Sequence, residues 1–359
     1  MTSKTLFDIP AGATAQVSII DSTVRVTKVK PDFFLAGPKV DGFDELSPIP
    51  AWSFLIQSST GQKALFDLAV PPDFTTSFAP SIVGRIGETG WSVRVEKDIA
   101  DILKENSVDP SEISSIIWSH WHWDHIGDPS TFPETTDLVV GPGFKAAFLP
   151  GYPTGPDSPV QERYFKGRKL VEIDFAAQSP PLEAGAFRAF DFFGDGSFYL
   201  LDTPGHAVGH LSGLARTTAD PDTFVFMGGD LCHHAAQLRP SPHLPIPPRL
   251  DLPLPDALRA RWSACPGGAA FEALNVRRGK KPDEPFFGLA MGHDVPLAVE
   301  TVRKAQAADA REDVFFVFAH DSTIIGVVDM FPATANAWKE KGWREAVLWK
   351  FLGDLIWGL

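Results

Sequence analysis

Cysteine and long apolar runs are scarce in this sequence of 359 residues. The two cysteines, Cys232 and Cys265, suit a reduced protein, and the N-terminal segment MTSKTLFDIPAGA lacks the long apolar core of a secretion signal. No run approaches the roughly 18 apolar residues that a bilayer span requires. We therefore expect a cytoplasmic protein with no membrane partner.

Basic segments are scarce as well. The formal net charge is −13, and the one basic cluster is RRGKKP at 277–282, which we expect on a solvated loop. A net-negative surface repels phosphate backbones, so we expect no nucleic-acid partner. Small neutral or weakly polar partners are compatible with this charge.

Strand-like segments are present in both halves of the chain, with helical segments between them. AWSFLIQ and QKALFDLAV, separated by SSTG, predict a hairpin whose second strand ends with Asp67. Apolar spacing predicts helices over 95–106 and from about 294 to 309. Because no repeat or linker divides the chain, we expect an α/β fold of the layered α+β kind, with two sheets, over a doubly wound parallel sheet.

Proline-rich stretches interrupt this pattern. We expect 1–359 to form a single domain, with an insertion or lid at about 232–290 and a C-terminal helix at about 335–355. The segment 31–50 is rich in Pro, Gly and Phe and is predicted to be a loop. It and 232–290 either form a lid over an apolar pocket, suited to an acyl chain or an aromatic group, or merely cover the core or a dimer contact.

The densest group of potential ligands is SHWHWDH at 119–125, which follows the apolar run Ile116–Trp118. Imidazole and carboxylate are the ligands of zinc and similar divalent ions. His120 and His122 project to the same side of an extended loop and can bind one ion, while Asp124 and His125 begin the next turn and can face a second. The alternative is a histidine-rich surface loop with no ion.

Each ion needs further ligands, and several candidates follow predicted strands. Strand ends gather at one edge of a sheet, where a site with several ligands can be assembled on rigid supports. The candidates are His206, His210, Asp230, His233, His234, His243, His293 and His320.

Five motifs, in order over roughly residues 52–321, resemble those of the metallo-β-lactamase superfamily. HWHWDH is similar to its His-x-His-x-Asp-His signature, DTPGHAVGH to its Thr-Pro-Gly-His segment, GGD to its bridging aspartate and FAHD to its final histidine. LFDLAV resembles its early strand, which ends in a structural aspartate, here Asp67. The resemblance implies a four-layer αββα sandwich with a dinuclear site at one edge.

The resemblance also implies a ligand set. The first ion takes His120, His122 and His206, the second takes Asp124, His125 and His320, and Asp230 bridges both together with a hydroxide. We expect two Zn²⁺ ions, with Mn²⁺, Fe²⁺ or Co²⁺ as alternatives. The bridging hydroxide would attack an acyl carbon, and Asp124 would carry a proton to the leaving group.

The remaining histidines have less specific roles. We expect His210 to support the site rather than to bind an ion, His293 to precede a helix capped by Asp294, and His243 to be peripheral. Of His233 and His234, which follow Asp230, one could donate a hydrogen bond to the substrate, and our candidate is His233.

The resemblance implies an acyl substrate: a lactone, an ester or a thioester. The motifs are most similar to N-acyl homoserine lactonases and related fungal hydrolases, although the lactonase tyrosine after the bridging aspartate is replaced by the stretch Leu231–His234. NAWKEKGW resembles members that act as thioesterases on polyketide intermediates, which is the alternative. A non-catalytic metal-binding scaffold is a further alternative, and the sequence leaves a homodimer open.

Overall fold

The fold is given by a computed structural model, which describes residues 7–178 and 180–359. Residues 1–6, part of the segment inspected for a secretion signal, lie outside the described residues. The strands, numbered along the chain, are β1 (Gln16–Asp21), β2 (Arg25–Thr27), β3 (Leu35–Ala36), β4 (Trp52–Gln57), β5 (Lys63–Phe66), β6 (Ser92–Arg94), β7 (Ile113–Ile117), β8 (Asp137–Val140), β9 (Leu170–Glu172), β10 (Glu183–Ala184), β11 (Phe187–Asp191), β12 (Phe198–Asp202), β13 (Leu211–Thr218), β14 (Thr223–Met227), β15 (Gly288–Leu289) and β16 (Val314–Val317).

Short helices connect many of these strands. They are α1 (Phe74–Ser77), α2 (Pro80–Thr89), α3 (Ile99–Glu105), α4 (Trp123–Ile126), α5 (Phe144–Phe148), α6 (Asp256–Arg259), α7 (Gly268–Arg277), α8 (Val295–Asp309), α9 (Trp343–Val347) and α10 (Leu352–Leu355). None of the helices in the described ranges is long and apolar enough to cross a bilayer.

Two mixed sheets form the centre of the fold. The first has the order β1-β4-β5-β7-β8-β9, antiparallel as far as β5 and parallel beyond it. The second has the order β10-β11-β12-β13-β14-β16, antiparallel as far as β14, with β16 parallel to β14. The predicted hairpin is confirmed as β4 and β5, and Asp67 directly follows β5.

Alternation along the strands gives each sheet an inner and an outer face. The inner face of β4, with Phe54, shares one buried cluster with Phe198 of β12 in the other sheet. The outer faces belong to a second cluster, which includes buried residues of β5 and α3 at the first sheet and of β16 and α8 at the second. Helices therefore cover both outer sides of the paired sheets, which confirms the predicted four-layer αββα sandwich.

The predicted internal helices begin at their caps. α3 starts at Ile99 rather than at 95, because the Asp98 side chain accepts a hydrogen bond from Asp101 N at 2.9 Å and fixes the first turn there. α8 starts after Asp294, whose side chain accepts from Leu297 N at 3.0 Å, as the sequence predicts.

The C-terminal segment differs from the single helix predicted at 335–355. The structure has two short helices there, α9 and α10. Gly342, directly before α9, has φ 65°, a left-handed conformation that interrupts a right-handed helix. The apolar residues of this segment, among them Trp343 and Leu352, still pack into the core.

Candidate metal centre

Ligands from distant parts of the chain meet because their strands end at one edge of the fold. β12, β14 and β16 run in the same direction in the second sheet, and His206, Asp230 and His320 follow their carboxyl ends. β7 of the first sheet ends before Ser119, whose carbonyl accepts a hydrogen bond of 2.7 Å from Leu211 N at the start of β13. The two sheets are therefore joined where the HWHWDH loop begins.

The structure brings all seven predicted ligands together in two groups. Within each group, one potential ligand atom from every residue lies within 4.8 Å of the others. One group is His120, His122, His206 and Asp230, and the other is Asp124, His125 and His320. We call these seven residues the ligand cluster.

The Asp230 carboxylate lies between the two groups. Its Oδ1 is 3.1 Å from His125 Nε2 and 3.1 Å from His320 Nε2. Its Oδ2 is 3.6 Å from His120 Nε2 and 3.4 Å from His206 Nε2. Each oxygen of one carboxylate thus faces a different group, which is the placement required of a residue shared by two ions.

Polar atoms without hydrogen bonds test whether this cluster suits a cation. In the described part of the chain, His120 Nε2, His125 Nε2, His320 Nε2 and Asp230 Oδ1 are buried with no hydrogen-bond partner. Buried polar atoms in folded proteins are nearly always paired. Here their lone pairs converge on common points, so the residues fit divalent cations.

The electrostatics of the histidines agree with this fit. Burial holds the pKa of His120 and His206 well below the usual value and lowers that of His122 to about 4, so these imidazoles present a neutral nitrogen. Burial acts the same way on His125, but the Asp230 and Asp67 carboxylates outweigh it and raise its pKa. The second group therefore favours positive charge, which a divalent ion supplies.

Asp67 supports the cluster from beneath. Its Oδ2 accepts from His125 Nδ1 at 2.8 Å and from Ser119 Oγ at 2.8 Å, and its Oδ1 accepts from Ser119 N at 2.6 Å. Because the Ser119 hydroxyl donates to Asp67, it accepts from His120 Nδ1 at 3.0 Å. One buried carboxylate thus orients an imidazole of each group and turns both Nε2 atoms towards the cluster.

Backbone carbonyls orient two further histidines. His320 Nδ1 donates to the Pro50 carbonyl at 2.7 Å, which leaves its Nε2 free to face Asp230. His210 Nδ1 donates to the Thr203 carbonyl at 2.9 Å, and its Nε2 accepts from Asp230 N at 3.0 Å. His210 lies outside both ligand groups and holds the backbone of Asp230, the supporting position that the sequence predicts.

Two glycines permit the loops to approach one another. Gly127, after α4, has φ 50°, and a Cβ there would lie 2.4 Å from Leu68 Cβ. Gly229, directly before Asp230, has φ 54°, and a Cβ there would lie 2.9 Å from His210 Nε2. A side chain at either position would displace a ligand-bearing loop.

The structure separates the adjacent histidines after Asp230. His233 Nε2 lies 3.3 Å from Asp230 Oδ2, and its ring stacks on Phe34 with centroids 4.3 Å apart. His234 instead pairs with Asp354 at 3.1 Å and accepts a hydrogen bond from Ala236 N. His233 is therefore the one at the ligand cluster. His243 and His293 have exposed side chains outside both ligand groups.

A groove of about 220 Å³ opens beside the ligand cluster. His122, Asp124, Asp230 and His233 line its polar end. The rest is mainly aromatic and aliphatic: Phe33, Phe34, Ile82, Ile86, Trp91, Trp121, Trp123 and Met291, with Arg85 and Thr89 as the other polar residues. The groove can take an apolar molecule and hold its polar end at the cluster.

The sequence predicted only part of the groove. The segment 31–50 contributes Phe33 and Phe34, but from 232–290 the groove is lined by His233 and by no other described residue. That segment packs elsewhere: Arg278 binds the Pro38 carbonyl, and α7 buries Phe271 and Leu274.

The sequence did not predict that the groove is also lined by Trp121, Trp123 and residues of α2. For the tryptophans a signal existed, because two large apolar side chains alternate with the ligands in HWHWDH.

Comparisons with known proteins agree with this geometry. The family model described as Metallo-beta-lactamase superfamily matches residues 46–217. Gamma-lactamase FDB1 of Fusarium pseudograminearum (strain CS3096) is 44% identical, over 95% of this chain and 83% of that protein. Metallo-hydrolase mfmC of Annulohypoxylon moriforme is 42% identical, over 97% of this chain and 89% of that protein.

A solved structure has the same fold. A single-substitution mutant of B. thuringiensis AiiA, with N-decanoyl-L-homoserine bound at its active site, aligns with a TM-score of 0.58 and 17% identity, over 90% of this chain and 100% of that one. The fold, the ligand cluster and the relatives lead to one conclusion: the chain belongs to the metallo-β-lactamase superfamily, and it is a hydrolase of that superfamily.

Proposed function

We propose that the chain is a dinuclear metal-dependent hydrolase that opens a lactone or cleaves a carboxylic ester. The observation that carries this proposal is the position of Asp230, whose two carboxylate oxygens face separate ligand groups at the end of an apolar groove. We also propose that 1–359 form a single domain, since one buried cluster includes residues from Phe7 to Ile356.

The proposed ligand set follows the two groups. His120, His122 and His206 would hold the first ion, Asp124, His125 and His320 the second, and Asp230 both. Two divalent ions, Zn²⁺ in our proposal, would supply a water nucleophile at neutral pH and positive charge for the developing oxyanion.

Two side chains of the groove have proposed roles with the substrate. Asp124 Oδ2 lies 3.5 Å from His320 Nε2, and the residue also lines the groove, so its carboxylate can carry a proton from the nucleophile to the leaving group. His233 lines the groove as well and can donate a hydrogen bond to the acyl oxygen. The stacked Phe34 ring holds its imidazole in place.

The groove indicates the shape and polarity of the part of the substrate that is attached to the acyl group. Trp91 lies 4.7 Å from Phe33, centroid to centroid, and with Phe34 these rings form one apolar wall. Such a wall binds an aromatic group or an acyl chain and excludes water from the polar end. The proposed partner is therefore a small acyl compound with a flat or apolar body.

A second candidate reaction is favoured by a relative's name. The Fusarium protein is called a gamma-lactamase and is 44% identical to this chain, which suggests a cyclic amide as an alternative to the lactone. Opening either ring needs the same polar end and the same apolar wall. Thioester hydrolysis would also use the same cluster. A thioesterase would differ from a lactonase in the part of the substrate that the groove binds.

A substrate panel with metal analysis tests the proposal. The purified protein is analysed for metal per chain and assayed with an aromatic γ-lactone, a phenyl ester, an acyl thioester and an aromatic γ-lactam, each with and without a chelator. We expect two ions per chain and turnover of the lactone or ester that the chelator abolishes and added Zn²⁺ restores.

Each other outcome identifies a different function. Turnover of the thioester alone would support a thioesterase, and turnover of the lactam alone would support a lactamase. Two bound ions without turnover of any acyl compound would support a metal-binding scaffold and overturn the proposal.

A further inference from the structure

A second and larger cavity, of about 490 Å³, lies outside the ligand cluster. It is lined by residues from 237–243, from 280–289 and from α8. Its volume falls within the range of small-molecule sites in proteins. We call it the α8 cavity. None of the seven residues of the ligand cluster lines it.

Three cationic side chains line the α8 cavity: Lys280, Lys281 and Arg303. None of the described carboxylates forms an ion pair with any of them, so a bound anion would not have to displace one. The acidic side chains at the cavity are Asp283 and Glu284, and Glu284 accepts a hydrogen bond from the Lys281 backbone. The cavity therefore has more positive than negative groups in a chain of net charge −13.

The environment of Lys280 makes this excess costly. The side chain is half-buried, which lowers the pKa of its ammonium group; the nearby Glu284 carboxylate raises this pKa, and the Arg278 cation lowers it further. Because burial and the neighbouring cation outweigh the Glu284 carboxylate, the charged form of Lys280 is destabilised, and a bound anion would offset that cost.

The inner wall of the α8 cavity is apolar. Phe287, Leu289 and Val302 lie there, with Phe287 and Val302 buried. The buried Gln306 side chain also lines the wall, and its amide donates to the Leu238 carbonyl at 3.0 Å. A ligand would thus meet apolar surface inside and cations at the rim.

We propose that the α8 cavity is a second binding site, for a molecule with an apolar body and one anionic group, a carboxylate or a phosphate monoester. The charge comes from Lys280, Lys281 and Arg303, and the apolar body rests on Phe287 and Val302. The inference does not depend on the proposed hydrolysis, because it uses none of the residues of the ligand cluster.

The α8 cavity and the groove share one wall. β15 lines the cavity and pairs with β3, which follows the groove residue Phe34. The buried Gln237 joins the two sides: its Nε2 donates to the carbonyls of Phe34 and Gly288, at 2.7 and 3.1 Å, and its Oε1 accepts from His233 N. A ligand in the cavity thus lies on the opposite side of this wall from His233.

Calorimetric titration of the metal-loaded protein at low ionic strength tests the site. The probes are 4-phenylbutyrate, 3-phenylpropyl phosphate, the neutral 4-phenylbutanol and inorganic phosphate. We expect saturable binding of an anionic aromatic probe, at least about tenfold tighter than that of the alcohol or of inorganic phosphate. The alcohol lacks the anionic group, and inorganic phosphate lacks the apolar body. The first two probes distinguish a carboxylate ligand from a phosphate ligand.

Charge variants locate the binding. The triple variant K280Q/K281Q/R303Q should weaken binding of the anionic probe about tenfold, while a matched triple variant, K166Q/K339Q/R249Q, removes the same charge from exposed positions elsewhere and should leave it unchanged. V299W, which fills the cavity but keeps its charges, should also weaken binding. Binding at the α8 cavity should persist after a chelator removes the metal. A carboxylate bound at the ligand cluster would instead be lost with the metal.

Three results would overturn the proposal. The first is equal weakening of probe binding by the two triple variants. The second is loss of probe binding when the metal alone is removed. The third is the absence of saturable probe binding by the wild type in the millimolar range. Circular dichroism of each variant checks that it is folded. Lactone or ester turnover is measured separately, so that failure of the second site and failure of the proposed hydrolysis are distinguished.

Discussion

The ligand cluster and the groove meet at His122, Asp124 and Asp230, yet they are built in different ways. The cluster residues follow the ends of central strands, five of the seven are buried, and hydrogen bonds with Asp67, Pro50 and His210 position several of them. The groove is formed by a loop, by α2 and by the tryptophans of the HWHWDH loop, and its Phe33 is 44% exposed.

We infer from this contrast that the ligand cluster determines reactivity and that the groove determines which substrates bind. The cluster positions the charged groups that the proposed reaction uses, so a change there should remove reactivity towards every substrate. The groove determines which apolar body fits, so a change there should act on binding and differ from substrate to substrate.

Loss of the shared ligand should have the largest effect. In D230N the side chain keeps its size but loses the charge that faces both groups. We expect metal content to fall and kcat/KM to drop about a thousandfold for all substrates, because several kcal/mol of transition-state stabilisation would depend on the proposed ions. D157N, at an exposed position, is the control. Retained metal and activity in D230N would show that Asp230 does not join the two groups.

Loss of the supporting carboxylate should have the next largest effect. D67N keeps a short polar side chain at a residue with φ 61°, but it removes the charge that His125 Nδ1 and Ser119 contact. Partners of metal ligands typically contribute tenfold to a hundredfold, so we expect kcat/KM to fall in that range and the free energy of unfolding to fall by about 2 kcal/mol.

Thermal or urea unfolding and metal titration of D67N measure these two effects, with D251N, at another exposed carboxylate, as the control. A variant with normal metal affinity and unchanged kcat/KM would mean that the cluster does not depend on support from Asp67.

Adjacent histidines allow a sharper test at the boundary of cluster and groove. H233F keeps a ring to stack on Phe34 but removes the donor, so we expect kcat to fall about tenfold with unchanged metal content. H234F, at the neighbour that pairs with Asp354, should leave kcat unchanged. If the two variants lose activity equally, His233 has no special role with the substrate.

The sequence predicted the cluster well because its signals are local. Ligand types concentrate in HWHWDH, and His206, Asp230 and His320 each come after an apolar strand. Strands that run in the same direction bring their ends to one edge, so the convergence of these residues follows from topology. The layered fold was predictable for the same reason, since its strands and α8 have clear apolar spacing and capping signals.

The groove was harder to predict because its residues share no spacing. Phe34 reaches His233 through the pairing of β3 with β15, two strands of two residues each that carry no sequence signal. Ile82 and Ile86 of α2 have the ordinary spacing of a helix that covers a core. Composition left open whether 232–290 forms a lid or covers the core or a dimer contact, and His233 is the one described residue of that segment that lines the groove.

The smallest predicted effect compares the groove wall with 232–290. W91L removes one ring from the wall formed with Phe33 and Phe34, so we expect KM for an aromatic lactone or ester to rise about fivefold, with kcat unchanged. KM for a small aliphatic substrate, which does not reach the wall, should stay the same. W262L, in 232–290, removes an equal ring that packs against Arg261 and should change neither value. If W262L raises KM as much as W91L does, then 232–290 covers the groove while substrate is bound, and the lid interpretation of that segment regains its support.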